Sequence, residues 1–199
     1  MKTTLEAHPD PPLDLAASPL PIAIFRRSWF RIHWLTRDPM HFGRSGDNRF
    51  DAPEGEFGVL YAGKDARCAF IEVFGHATGV RFVEQSELAA RGLARIAPRR
   101  PLRLVNLTGA GLARLGADAR LTSGESYRAA NRWARAIHDH PRRPDGIAYA
   151  ARHDPTRICA ALFERVSAEL EVTQLGSLVD PANAALLARL LDTYKFGLV

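Results

Sequence analysis

A single mixed α+β domain is the fold this sequence predicts, on three observations. Short segments rich in aromatic, β-branched or alternating apolar residues recur along the chain. Longer stretches with helical periodicity interrupt them, and the two kinds do not alternate as regular βα units. The length of 199 residues suits one domain, and a chain of this size hides roughly 70% of its unfolded surface, so it can build a core without staples.

The elements follow in order. Pro9, Pro11, Pro12, Pro19 and Pro21 interrupt every helix or strand in residues 1–22, which predicts a proline-rich N-terminal arm, mobile or laid over a partner, ahead of a domain at 23–199. SWFRIHWL (28–35) predicts a strand. Residues 38–58 are polar and glycine-containing and predict a long loop, a length usually kept for function in a compact domain. GVLYAG (58–63) is a short strand. KDARCAFIEVFGHAT (64–78) predicts a helix, because Ala66, Ala69, Phe70, Val73 and Ala77 share one face. PLRLVNL (101–107), GIAYAA (146–151), RICAALFER (157–165) and ELEVTQL (169–175) predict strands. ESYRAANRWARAIHD (125–139) and PANAALLARLLDTY (181–194) predict helices, the first stopped by Pro141 and the second opened by Pro181.

Composition narrows the class of protein. Hydrophobic content of 46% and charged content of 25% are ordinary for a soluble globular chain. No apolar run reaches the ~18–20 residues that span a bilayer, and the N-terminus carries acids where a signal peptide needs an apolar stretch. Cys68 and Cys159 are distant in sequence and have no CxxC neighbour, which suits free thiols in a reducing compartment. The expectation is a cytoplasmic protein that does not engage membrane. The net charge of +5 rests almost wholly on arginine, whose planar fork binds phosphate bidentately, although a solvated surface explains such a surplus equally well.

Several motifs are decoys. Gly109 and Gly111 follow a strand, but Arg114 stands where a dinucleotide fingerprint needs its third glycine, so loop or helix-cap roles fit better. His138 and His140 are two apart and do not share a helical face, and no ligand partner sits at metal spacing. No metal site is expected, and capping of the helix C-terminus is the simpler account. The clusters Arg99, Arg100, Arg103 and Arg142, Arg143 lack the interleaved aromatics of a base-stacking groove, so direct nucleic-acid binding is not expected. Leu186, Leu187, Leu190 and Leu191 form a stripe open to two readings, core packing or docking of a partner, a second copy of the chain included.

The segment from 31 to 72 is different. Arg31 lies inside a hydrophobic strand, Arg49 in a polar loop, Tyr61 at the end of a short strand, and Glu72 in the next helix, roughly 120° from the centre of its apolar stripe. Singly, each has a structural explanation: an arginine paired with a buried acid, a core tyrosine, a surface glutamate. Together they supply what cleavage of a pyridinium–ribose bond in NAD⁺ requires. The reaction passes through an oxocarbenium-like state that a nearby carboxylate stabilises. A tyrosine face holds the cationic ring by about 0.5–2 kcal/mol of cation–π attraction. Arginine forks bind the pyrophosphate. Nicotinamide departs neutral, so no acid need protonate it.

The stretches FRI (30–32), NRFDAPEG (48–55), VLYAG (59–63), AFIEVFGH (69–76), DGIAYAARHDP (145–155) and ALFER (161–165) resemble the RES domain, the toxin half of RES–Xre toxin–antitoxin modules, over roughly residues 25–175. The resemblance implies a fold related to ADP-ribosyltransferases, NAD⁺ degradation that halts growth, and neutralisation by an Xre-like antitoxin. It implies a catalytic set of Glu72, the carboxylate, with Arg31 and Tyr61, and binding of NAD⁺ by Arg31 and Arg49, with Tyr61 as the nicotinamide platform. In the Tyr149-Ala150-Ala151-Arg152 stretch the family carries Tyr-x-Ser-Arg, so the binding position of the serine is Ala151 here, beside Arg152. A hydroxyl donor worth on the order of 0.5–1.5 kcal/mol is missing. ADP-ribose transfer to protein, water or phosphate share one first half-reaction and stay open. Two other readings also stay open: a basic regulatory module, and a pseudoenzyme that binds NAD⁺ with little turnover.

Overall fold

A computed structural model describes residues 8–199. Its strands and helices in chain order are β1 (Ile22–Phe25), β2 (Trp29–Trp34), β3 (Val59–Gly63), α1 (Ala66–Phe74), β4 (Phe82–Val83), α2 (Gln85–Ala89) and β5 (Arg91–Pro98). There follow β6 (Leu102–Leu107), α3 (Ala110–Arg114), α4 (Arg120–Ser123), α5 (Arg128–His138), β7 (Gly146–Ala150), β8 (Ile158–Phe163), β9 (Leu170–Ser177), α6 (Ala184–Tyr194) and β10 (Gly197–Leu198). Eight strands form one mixed sheet in the order β1-β6-β7-β8-β3-β2-β5-β9, while β4 and β10 make a separate parallel pair. The chain is thus a mixed α+β domain, as the irregular order of its elements predicts.

Three clusters form the core. One packs α5 and the 50–57 loop onto β3, β6, β7 and β8, with Phe50, Trp133, Ile147 and Phe163 inaccessible or nearly so. A second covers the other face of β3, β7 and β8 with Trp29, Leu60, Ala148 and Leu162. A third joins α1 and α6 to β2 and β5 through Phe70, Phe74, Leu93 and Leu190. Leu187 and Leu190 are buried there and Leu186 and Leu191 pack beside them, so core packing accounts for the leucine stripe.

Several boundaries differ from expectation. Helix α1 stops at Phe74, with Gly75 as its cap, leaving Ala77 outside and exposed. Its inward residues are Cys68, Ala69, Phe70, Ile71 and Phe74, because the helix is covered by both the sheet and α6 and buries more than one stripe. Strand β5 escaped the sequence reading since Gly92, Ala94 and Pro98 dilute its pattern, and a register shift between Gly92 and Ala94 breaks the alternation. The short helix α2 escaped it too. Gly111 has a packing reason: a Cβ there would lie 1.8 Å from the Asn106 carbonyl oxygen, so only glycine lets α3 sit on β6.

The proline-rich segment, from residue 8 onward, lies against its own domain. Trp133 Nε1 donates to the Pro9 carbonyl at 3.0 Å, Leu15 and Leu20 are buried, and β1 pairs antiparallel with β6 as an edge strand. Residues 1–7 of the expected arm fall outside the described residues. The two cysteines, far apart in sequence, meet across α1 and β8 with their Sγ atoms 3.0 Å apart, both free. Among the described residues no helix is long and apolar enough to cross a membrane.

Candidate active site

Residues 38–58 form the long loop expected, but an ordered one. Asp51, fully buried, accepts from Asn48 N at 3.1 Å, from Asn48 Nδ2 at 3.0 Å and from the Tyr61 hydroxyl at 2.8 Å. Tyr61 Oη in turn accepts from Phe50 N at 2.9 Å. From the other side Asn131 of α5 donates to the carbonyls of Asn48, Arg49 and Asp51, at 2.9, 3.3 and 3.0 Å. The NRFD stretch is therefore a turn clamped between β3 and α5, and the clamp fixes Arg49.

Arg49 is buried, donates to the Gly124 carbonyl at 2.8 Å, and lies over the Tyr127 ring with its Cζ 4.6 Å from the centroid. Burial lowers its pKa, and Glu72, Arg152 and Tyr149 are among the groups whose charges act on it. Glu72 is half-buried on α1, and one of its oxygens accepts from the Arg152 backbone N–H at 3.0 Å. Burial raises the pKa of Glu72, opposed by that N–H and by His76, Arg49 and Arg152. The charges of two arginines and a histidine thus act on this one carboxylate.

Two tyrosines lie in the same region. Tyr149 is buried and meets Phe50 edge-on at 4.9 Å, and its hydroxyl is held far above its ordinary range by burial, with Cys159, Glu72 and Tyr61 adding to the effect. Tyr61 is half-buried; burial and Asp51 keep it neutral. His153 meets His76 edge-on at 5.6 Å, and burial, His76 and Arg152 lower its pKa. The turn between β7 and β8 is pinned to α1 by Arg157, which bonds Asp65 at 2.9 Å and Asp154 at 3.3 Å, while Tyr194 of α6 donates to Asp154 at 2.9 Å.

Of the residues singled out in the sequence, Glu72, Arg49, Tyr61 and Arg152 share this neighbourhood. Arg31 does not. Phe30 and Ile32 pack with Ala69, Phe70 and Phe74 of α1, so Arg31, between them, leaves β2 by the opposite face. There its Nη1 donates to the carbonyls of Pro39 and His41 at 3.2 and 2.9 Å. Burial lowers its pKa to about 10, and the charges acting on it are Asp38 and Arg37. It holds the start of the loop. Ala151 offers no hydrogen bond to a ligand from its N–H, which is given to Arg157 O at 3.0 Å, and its methyl is buried.

Tyr149, Tyr127, His76, His153, Asp51 and Asn131 also belong to this region and were not expected there from the sequence. Asn131 was detectable as an amide on the otherwise apolar face of an amphipathic helix. The paired histidines at 138 and 140 serve separately. His138 stacks on Phe57 at 3.9 Å and burial lowers its pKa, which favours ring packing over cationic capping. His140 bonds the Ser18 carbonyl at 3.1 Å. No group of three or more His, Cys, Asp or Glu side chains among the described residues could hold a metal ion.

An α+β domain thus gathers carboxylate, arginine, histidine and tyrosine side chains between α1, the 38–58 loop and the β7–β8 turn. The RES domain family model matches residues 24–180, and the chain belongs to that family. It is 29% identical over 114 residues to the "Probable toxin y4kH" of Sinorhizobium fredii, a match covering 57% of this chain and 87% of that one. Its fold is similar to a chain of the M. tuberculosis MbcT–MbcA toxin–antitoxin complex, with a TM-score of 0.64 and 16% identity over 85% of this chain and 91% of that chain.

Proposed function

We propose that this protein is the toxin of a toxin–antitoxin pair, acts in the cytoplasm, and cleaves NAD⁺ at the nicotinamide–ribose bond. The observation that carries the proposal is Glu72: a half-buried carboxylate fixed by one backbone N–H and acted on by the charges of Arg49, Arg152 and His76. Family membership and the name of the relative support it.

Glu72 stabilises the oxocarbenium ion as nicotinamide leaves, by charge or by gripping a ribose hydroxyl. Arg49 and Arg152 take the pyrophosphate. Tyr61 and Tyr149 wall the ring end, and Arg31 acts indirectly by holding the loop that carries Arg49. Nothing in this arrangement selects among water, phosphate and a protein as the ADP-ribose acceptor. An Xre-like antitoxin would neutralise the protein by covering the pocket.

The test is to induce the chain in cells and follow NAD⁺ and growth for the natural sequence, Ala151→Ser and Glu72→Gln. NAD⁺ should fall with the first two, faster with Ala151→Ser, and hold with Glu72→Gln. Undiminished NAD⁺ and normal growth with Ala151→Ser would sink the proposal. The buried methyl at 151 favours a second reading, an NAD⁺ binder of weak turnover, which predicts calorimetric binding of NAD⁺ with negligible nicotinamide release.

A further inference from the structure

Strands β7 and β8 have a second end. The Glu72 site lies where Ala150 pairs with Ile158; at the other end, where Gly146 pairs with Leu162, a cavity of ≈ 420 Å³ is lined by Arg100, Arg103, Arg143, Asp145 and Arg165. Four residues of extended strand, roughly 13 Å, separate the two.

The cavity is charged well beyond its internal pairing. Among the described residues lining it the one carboxylate, Asp145, is already committed: Arg100 grips it at 2.7 and 2.9 Å and the Arg103 backbone N–H bonds it at 2.7 Å. Arg165 donates from Nη2 to the His138 carbonyl at 2.8 Å, but its Nε and Nη1 are buried without a hydrogen-bond partner. Among the described residues no carboxylate forms an ion pair with Arg165. Burial first, then the Arg143 charge, lowers its pKa, opposed by Asp139 and Asp145. Arg143 itself stands at φ 44°, in the left-handed region that non-glycine residues rarely adopt. Buried donors left open and a strained backbone are costs that persist where function or a ligand requires them.

We propose that this cavity is a binding site for a doubly charged phosphate group, separate from the Glu72 site, with Arg103, Arg143 and Arg165 as its donors and the Arg100–Asp145 pair as its wall. Its volume lies in the range of small-molecule pockets, so the group is a free phosphate or the phosphate of a small ester. Guanidinium forks match such a group in charge and geometry.

The experiment is calorimetric titration of the full chain with inorganic phosphate and with glycerol phosphate, at constant ionic strength set by chloride. Three proteins are compared: the natural sequence, Arg143→Gly and Arg49→Gln. Glycine accepts φ 44° without strain, so Arg143→Gly should melt no lower than the natural protein while binding at least tenfold more weakly. Arg49→Gln should bind as the natural protein does, which places the ligand away from the Glu72 site. The stronger of the two ligands identifies the source. Equal binding by Arg143→Gly, loss of binding in Arg49→Gln instead, or no binding of either ligand would overturn the assignment.

Discussion

Two carboxylates of this chain, Asp51 and Glu72, share one neighbourhood and are connected through Tyr61, Arg49 and Tyr149. Asp51 is inaccessible and accepts from Asn48 twice and from the Tyr61 hydroxyl. Its lone pairs are occupied by donors of the chain itself. Glu72 keeps partial exposure and accepts one backbone N–H, although cations surround it. An acid saturated with internal donors fixes structure; an acid left partly open among cations retains capacity for a substrate. The same contrast holds between Arg31, whose donors close the loop at Pro39 and His41, and Arg165, whose Nε and Nη1 are buried without a hydrogen-bond partner.

The sharpest way to break the comparison is to neutralise each acid in turn. Glu72→Gln should lower NAD⁺ cleavage by about 10²–10³-fold, as removal of one preorganised electrostatic stabiliser does elsewhere, with the fold intact. Asp51→Asn should instead destabilise the protein by about 2–4 kcal/mol, because an amide presents donors where four donors, Ser45 Oγ among them, already converge. Calorimetric melting beside a nicotinamide-release assay separates the two effects. If Glu72→Gln unfolds the chain, or Asp51→Asn leaves its melting point untouched, the distinction fails.

A smaller effect is expected at the clamp that connects them. Asn131→Ala leaves the carbonyls of Asn48, Arg49 and Asp51 without their side-chain donor, at a cost of about 1–3 kcal/mol. Limited proteolysis should then cut between residues 44 and 56 faster than in the natural protein. Unchanged cleavage would mean that Asp51 alone holds the turn.

The subtlest test is pH. Burial raises the pKa of Glu72, so the acid limb of the activity profile should lie above the usual glutamate range, since only the ionised form stabilises the cation. For stability the sign is opposite. A carboxyl with a raised folded pKa adds stability below its unfolded pKa and loses it as pH rises through the folded one. Glu72→Gln should therefore melt on the order of 1–2 °C higher than the natural protein at pH 8, and equally at pH 4. A natural protein that is the more stable of the two at pH 8 would show Glu72 to be structurally paired after all.

Much of this was legible along the chain. Aromatic and β-branched runs identified β2, β3, β6, β7, β8 and β9, and helical spacing identified α1, α5 and α6, because those signals live within ten or so residues. Strand β5 was not, since its place is fixed by pairing with β2 and β9 and not by its own alternation. In the site, Glu72, Arg49, Tyr61 and Arg152 could be singled out by residue type and by family resemblance. The sequence alone therefore determined the α+β class, the family and the acid on which the proposed chemistry rests. The tertiary structure decided which groups meet it. It turned Arg31 to the other face of β2, since consecutive strand residues point oppositely, and it brought Tyr149 and His153 to Glu72 from eighty positions away. Likewise it placed Arg165 beside Arg143 with donors to spare. Such meetings depend on strand order and register, which depend on every residue of the sheet at once and on no local stretch of it.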